Sequence, residues 1–292
     1  MSRLYKGDCS KYTEENGRYT YVEYTNIEEY FKMIKDKPIV KNRDNSSESG
    51  DSGWSGTSSL DEAINLMTKG DKESMKLLTK TKTVTDAMFK DVEVKKPKNV
   101  NSVEGHQPIV PHAIMGLPES MIKTKRPPMN NKVVNVFINS SASAGTDKEE
   151  IAFHGAMLLS AVQQLENNGY RVGLYVGKIA YMADKEDITG HIVNIKPPMA
   201  PLNLLKYSYY LINPSFLRRT CFRIDEVEDK IIDCTHDGYG QATNYSQIED
   251  IVKGTFREQM LIYDSRVDIN PNNTEEENVK NIKEFFEGYL EK

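Results

Sequence analysis

The feature that most constrains this chain is a strand, loop, helix and strand in succession across residues 133–176. Val133-Val134-Asn135-Val136-Phe137-Ile138 is β-branched and mostly apolar, the composition of a strand buried on both faces. A small polar loop, 139–146, comes next. Residues 149–167 then carry Ile151, Met157, Leu158, Ala161, Val162 and Leu165 near helical spacing, and Asn168-Gly169 supplies a stop. Residues 170–176 read as a second strand. That order predicts a right-handed crossover joining a parallel pair.

The same alternation continues downstream. Residues 191–195 read as a strand closed by Pro197-Pro198, 201–211 as a helix, and Asn213-Pro214-Ser215 as the start of a short helix carrying Phe216, Leu217, Arg218 and Arg219. Residues 230–234 are expected as a strand, 248–253 as a short helix and 260–263 as a late strand. A final amphipathic helix, 274–292, sets Val279, Ile282, Phe285, Phe286 and Leu290 in one stripe. The expectation is an α/β domain over 133–292: an open, mostly parallel, Rossmann-like sheet with helices on both faces.

A smaller, mainly helical and irregular N-terminal region precedes it. In the first segment, 1–43, residues 19–24 suggest a strand and 27–34 a helix with Tyr30, Phe31 and Ile34 on one face. Residues 44–53 are rich in Ser, Gly and Asp and carry no apolar side chain, which predicts a flexible linker. In 54–132, Ser59 with Glu62 fits a capping box, Gly70 a helix stop and Asp71 a second start. Residues 79–132 are Lys-rich and hold Pro97, Pro108, Pro111, Pro118, Pro127 and Pro128. They read as an extended connection with one short buried piece at 112–115.

A formal net charge of −5 gives no global attraction to nucleic acid. Lys95-Lys96-Pro97-Lys98 and Lys123-Thr124-Lys125-Arg126 keep a local contact open, but no aromatic residues interleave with them for base stacking. Neither a phosphate-cradling G-x-x-x-x-G-K-[ST] loop nor a G-x-G-x-x-G turn occurs. No apolar run approaches the ~18 residues that span a bilayer, and residues 1–6 lack the apolar core of a signal peptide. A cytoplasmic protein, or part of a particle assembled there, is expected, without a membrane partner. Cys9, Cys221 and Cys234 are far apart and read as free thiols of a reducing compartment.

The loop Asn139-Ser140-Ser141-Ala142-Ser143 sits at the carboxyl end of a strand, where open α/β sheets bind ligands. It resembles the Asp-x-Ser-x-Ser loop of von Willebrand factor A domains, with Asn139, Ser141 and Ser143 at the matching positions. The resemblance implies a magnesium ion held by Ser141 and Ser143, with an acidic ligand from a later loop: Asp237 first, then Asp233 or Asp264. Asn139 stands where the family has Asp, which removes a charge that magnesium favours. The plain alternative is a tight turn capping the next helix. Phe153 to Val172, Trp54 to Gly70 and Pro214 to Arg219 also resemble an uncharacterised family of phages and mobile elements. That likeness implies a host-cytoplasmic or virion location.

Other groups are weighed the same way. His154 reads as a packed helical residue, and His191 has no sequence neighbour to work with. Arg218 and Arg219 suit a phosphate or carboxylate clamp, or a bridge to Asp225 and Glu226. Cys234 and His236 would form a thiol dyad only if both faced one side. The leading expectation is a non-catalytic interaction or assembly factor that binds a host or phage protein through Asn139, Ser141, Ser143, Arg218 and Arg219. A metal-dependent enzyme or nucleic-acid-processing factor in the same crevice, using Asp233, His236 and Asp237, is the alternative. A structural virion component is the third reading.

Overall fold

The computed structural model describes residues 2–9, 17–49, 51–88, 98–125, 133–167, 169–182, 187–243 and 260–264, with single positions at 248, 251, 277, 280, 281 and 284. Two antiparallel strands, β1 (Arg3–Cys9) and β2 (Gly17–Tyr24), come first. Then α1 (Ile27–Asp36) is capped by Asn26, whose side chain accepts from the Glu29 N–H, and it buries Tyr30 and Ile34, four residues apart on one face.

The stretch expected as a flexible linker instead holds two single-turn helices, α2 (Ser46–Ser49) and α3 (Ser52–Ser55). Polar side chains hold it down in place of apolar ones. Ser47 is buried and donates its N–H and its hydroxyl to Glu226 at 2.8 and 2.5 Å. In α4 (Leu60–Lys69), Ser59 Oγ accepts from the Glu62 N–H as a capping residue should, while the Glu62 carboxylate accepts from the N–H and hydroxyl of Ser58. Gly70, at φ 87°, ends that helix. Asp71 then caps α5 (Lys72–Met88), accepting from the N–H groups of Glu73 and Ser74.

Residues 98–125 are an arm with its own antiparallel sheet. It comprises β3 (Lys98–Ser102), β4 (Gln107–Pro108), α6 (Val110–Ile114) and β5 (Met121–Lys125), with β5 in the middle. The piece expected to be buried at 112–115 is not: α6 has no buried residue, and Ile114 is 80 % exposed. A run of apolar side chains is buried only where a second layer covers it.

The crossover unit forms as the sequence predicts. β6 (Val133–Asn139), α7 (Lys148–Asn167) and β7 (Arg171–Met182) run in order, and β6 lies parallel to β7 with Asn139 opposite Gly177. Next come β8 (Asp187–Lys196) and α8 (Leu204–Ile212), capped by Asn203. A π-helix over Phe216–Cys221 runs into α9 (Phe222–Val227). A 3-10 turn (Thr235–Asp237), β9 (Gln241–Ala242) and β10 (Met260–Asp264) close the described chain.

The expected open, mostly parallel sheet is overturned. The order is β1-β2-β8-β7-β6-β10, with β9 against the far half of β7. β2–β8, β6–β7 and β6–β10 are parallel, but β1–β2, β7–β8, β7–β9, β3–β5 and β4–β5 are antiparallel. The fold is mixed α/β with antiparallel pairings in the majority. Its physical origin is the reach of β7 and β8 through the interval read as a connection. Four residues separate them, and a parallel crossover needs about a dozen.

The supposed boundary near 133 is crossed by the sheet itself, because β2 pairs with β8 from Tyr19 opposite Ile188 to Tyr24 opposite Val193. One sheet face, with Val22, Val136 and Val176, packs on α1, α7, α8 and the π-helix; the other packs Tyr21, Phe137 and Ile192 against Ile248 and Ile251. The strand expected at 230–234 is absent. Its backbone is engaged elsewhere: Ile231 O accepts from Arg43, and Ile232 O from Thr189 Oγ1. Positions 277, 280, 281 and 284 are helical, while the apolar stripe expected at 279, 282, 285, 286 and 290 lies outside the described residues. No described helix is long and apolar enough to cross a membrane.

Candidate ligand cleft

A cleft of about 1020 Å³ opens beside the serine loop that follows β6, bounded across from it by residues 235–242. Asn139, at the end of β6, ties the serine loop to Thr243 beside the second wall. It is fully buried. Its Oδ1 accepts from the N–H groups of Ser141 and Ile179 at 3.2 and 3.1 Å, and its Nδ2 donates to Thr243 Oγ1 at 3.2 Å and toward Ile179 O at 3.5 Å. The side-chain amide thus pairs with Ile179 as one more residue of β6 would. β7 continues, and β9 takes over beside it at Ala180 and Tyr181. An aspartate has no N–H to give to Ile179 O or Thr243 Oγ1, so these partners favour an amide at this position.

The loop is built from within. The Ser143 hydroxyl accepts from the Gly145 N–H, and Ser143 O accepts from the Thr146 N–H. Ser141 is buried and Ser143 exposed, and both line the cleft. The Trp54 indole N–H donates to Ala144 O at 2.9 Å, which fastens α3 to the loop. Arg218 completes that seam. It donates to Trp54 O at 2.6 Å and Thr146 O at 2.5 Å, with its guanidinium 4.3 Å from the Trp54 ring centre.

Arg219 points elsewhere, donating to Ser47 O, Thr57 O and Thr57 Oγ1. The two arginines expected as a clamp therefore diverge, and neither bridges to Asp225 or Glu226. The π-helix sets them apart, and both serve to hold residues 46–57.

At the cleft floor lies a buried charge that belongs to none of the sequence motifs. Lys178 is buried on β7, its Nζ 2.5 Å from Asp225 Oδ2 and 3.7 Å from Cys234 Sγ. Its cross-strand neighbour His191 faces the other carboxylate oxygen at 3.7 Å, and Tyr30 OH lies 3.2 Å from His191 Nε2. Burial works against the Lys178 charge, yet Asp225 beside it holds the ammonium above its usual range. Burial likewise raises Asp225, but Lys178 and His191 outweigh it, so the carboxyl sits low. A lysine inside an otherwise apolar strand, Val176-Gly177-Lys178-Ile179-Ala180, was a legible signal, because a buried charge must be paired.

Tyr239 forms part of the opposite wall. Gly238, Tyr239 and Gly240 all have positive φ, at 57°, 66° and 77°. For a bulky residue this costs about 1–2 kcal/mol. Tyr239 is held by stacking on Phe222 at 4.0 Å and by hydrogen bonds to Glu226 Oε1 and from the Ser46 N–H. Nothing in the sequence pointed to it.

The acidic candidates do not converge. Asp233 Oδ1 accepts from the N–H and hydroxyl of Thr235 and so builds a turn. Asp237 is exposed and lies outside the cleft lining, and the Asp264 side chain lies outside what the structure describes. Among the described residues no group of three or more His, Cys, Asp or Glu is placed to hold a metal ion. Cys234 is buried, which pushes its thiol up to about 12, while the His236 ring is exposed with Nε2 donating to Asn42 O. They form no dyad. His154 is a packed helix residue, as expected, and burial lowers it to about 4.

Residues 10–290 match the family described as "Domain of unknown function (DUF7192)". No curated protein and no solved structure matches the chain.

Proposed function

We propose that this chain, which belongs to the DUF7192 family, is a non-catalytic binding protein that holds a segment of a protein partner in the cleft beside the serine loop. The observation that carries this reading is the state of the groups around that cleft. Lys178 is bound to Asp225, Arg218 to two carbonyls and the Asn139 amide to three partners. Groups so engaged shape a site rather than turn over a substrate. What remains in the lining is hydroxyl and amide at Ser46, Ser143, Thr146 and Gln241, with the titratable side chains of Asp44, Glu150 and a His236 ring that is itself bonded to Asn42 O beside Asp44. The cleft volume stands at the upper end of the range for small-molecule pockets, about 300–1,000 Å³, which suits a chain segment. Strain at Tyr239, kept in place by a ring stack and two hydrogen bonds, is the kind of cost that persists at ligand walls.

The test uses Ser143→Trp, an exposed position where a large ring fills the cleft mouth. Wild type and variant serve as baits in extract of the cell that makes the chain. The reading expects one protein retained by wild type and lost with the variant, at unchanged melting temperature. Equal retention by both baits rejects it.

A further inference from the structure

The arm at 98–125 ends its small sheet on β3, and among the described residues no strand lies along β3's outer edge. An open edge presents unpaired N–H and C=O groups, and proteins normally blunt it with proline, a bulge or charge. The opposite edge, β4, is blunted in this way, being two residues long and ending in Pro108. β3 is not: Asn99, Val100 and Asn101 are all exposed, and its one charge, Lys98, sits at the end.

The strand is also complementary to itself. Laid antiparallel on a second copy about Val100, Lys98-Asn99-Val100-Asn101-Ser102 sets valine against valine, each Asn99 against Asn101, and each Lys98 against Ser102. No like charges meet, amides face amides, and two exposed valines cover one another. The register within the arm is less well matched, since it opposes Lys98 to Lys125 and Val100 to Lys123. The arm leaves further apolar surface in water, with Val103 72 % and Met115 65 % exposed.

We infer that two copies of this chain pair β3 to β3 about a two-fold axis, joining their arm sheets into one of six strands. Because the strand meets itself, the contact is isologous and closes as a dimer.

The register makes a charge-swap test specific. In the dimer Asn99 of each copy faces Asn101 of the other, so N99K/N101K sets lysine against lysine twice, whereas N99K/N101E sets lysine against glutamate twice. Both variants lose the hydrogen bond from Thr124 Oγ1 to Asn99, so that loss cancels. Sedimentation equilibrium of the full chain over a concentration series is the measurement, with unfolding midpoints confirming that both variants fold. The wild type is expected to dimerise. N99K/N101K should raise the dimer Kd about tenfold or more, and N99K/N101E should bring it back near wild type. A wild type that stays monomeric, an N99K/N101K variant that dimerises as well as wild type, or an N99K/N101E variant no better than N99K/N101K each overturns the inference.

Discussion

Asn139 does work that no other side chain of its size can do, because it presents a donor and an acceptor along the direction of a strand. Replacing it by Asp keeps the acceptor and sets a buried negative charge against Ile179 O and Thr243. Asn139→Asp should cost on the order of 3 kcal/mol, read as a lower urea midpoint with an unchanged slope. Both lone pairs of Oδ1 already accept N–H groups, so millimolar magnesium should leave the wild-type melting temperature where it is. A rise would reinstate the metal reading of the loop. His154 gives the protein a second residue-level signature. Its pKa falls from about 6.5 in the unfolded chain to about 4 when folded, through burial. The unfolded state therefore binds the proton first. The stability this neutral ring supports is whole above pH 6.5 and is lost as pH falls toward 4, by up to about 3 kcal/mol. His191 shifts the same way, whereas burial raises Glu150 and Glu226 and opposes the trend. Comparing His154→Gln with wild type over that window isolates the ring; identical pH curves would show that it does not titrate as described.

Elements meet closely here because small residues let them. Gly155 lies where α7 crosses α8, and a Cβ there would come within 1.7 Å of Leu211 O. Gly155→Ala should cost about 3 kcal/mol and lower the melting temperature, although alanine favours helix more than glycine does. A neutral or stabilising result would mean that the two helices can separate at little cost. Arginines do the corresponding work for irregular segments. Arg219 supplies donors to residues 47 and 57, and Arg43 to the carbonyls of Asp225, Glu228 and Ile231. This is why a run without apolar side chains sits firmly on the body, and why the sequence pattern, which scores apolar periodicity, presents it as a linker.

At the scale of the whole molecule, the N-terminal strands belong to the same sheet as the crossover unit. A fragment beginning at residue 133 lacks β2, and with it the buried Val22 and Tyr24 of the main core. It also loses α5 from against α7. Such a fragment should bind a hydrophobic dye and unfold without a cooperative transition. A sharp two-state transition would show that 133–292 stands alone.

Some of this was legible from the residues themselves. Hydrophobic period and β-branching identify β6, α7 and the start of β7, and the serine and glycine caps set the ends of α4, because these effects act over a few neighbouring residues. The polar loop after β6 was visible as a loop for the same reason. Local pattern does not carry pairing. Whether β8 returns parallel or antiparallel depended on how far two strands run into their connection, and the place of β2 depended on a partner some 170 residues away. Lys178, Asp225, Cys234 and Tyr239 come together only when distant segments pack. The direction of a side chain, like those of Arg218 and Arg219, follows from the π-helix that carries them. Sequence determined what each short segment prefers; tertiary structure decided which segments are neighbours, because long-range contacts are selected by the burial of the whole core and not by any residue alone.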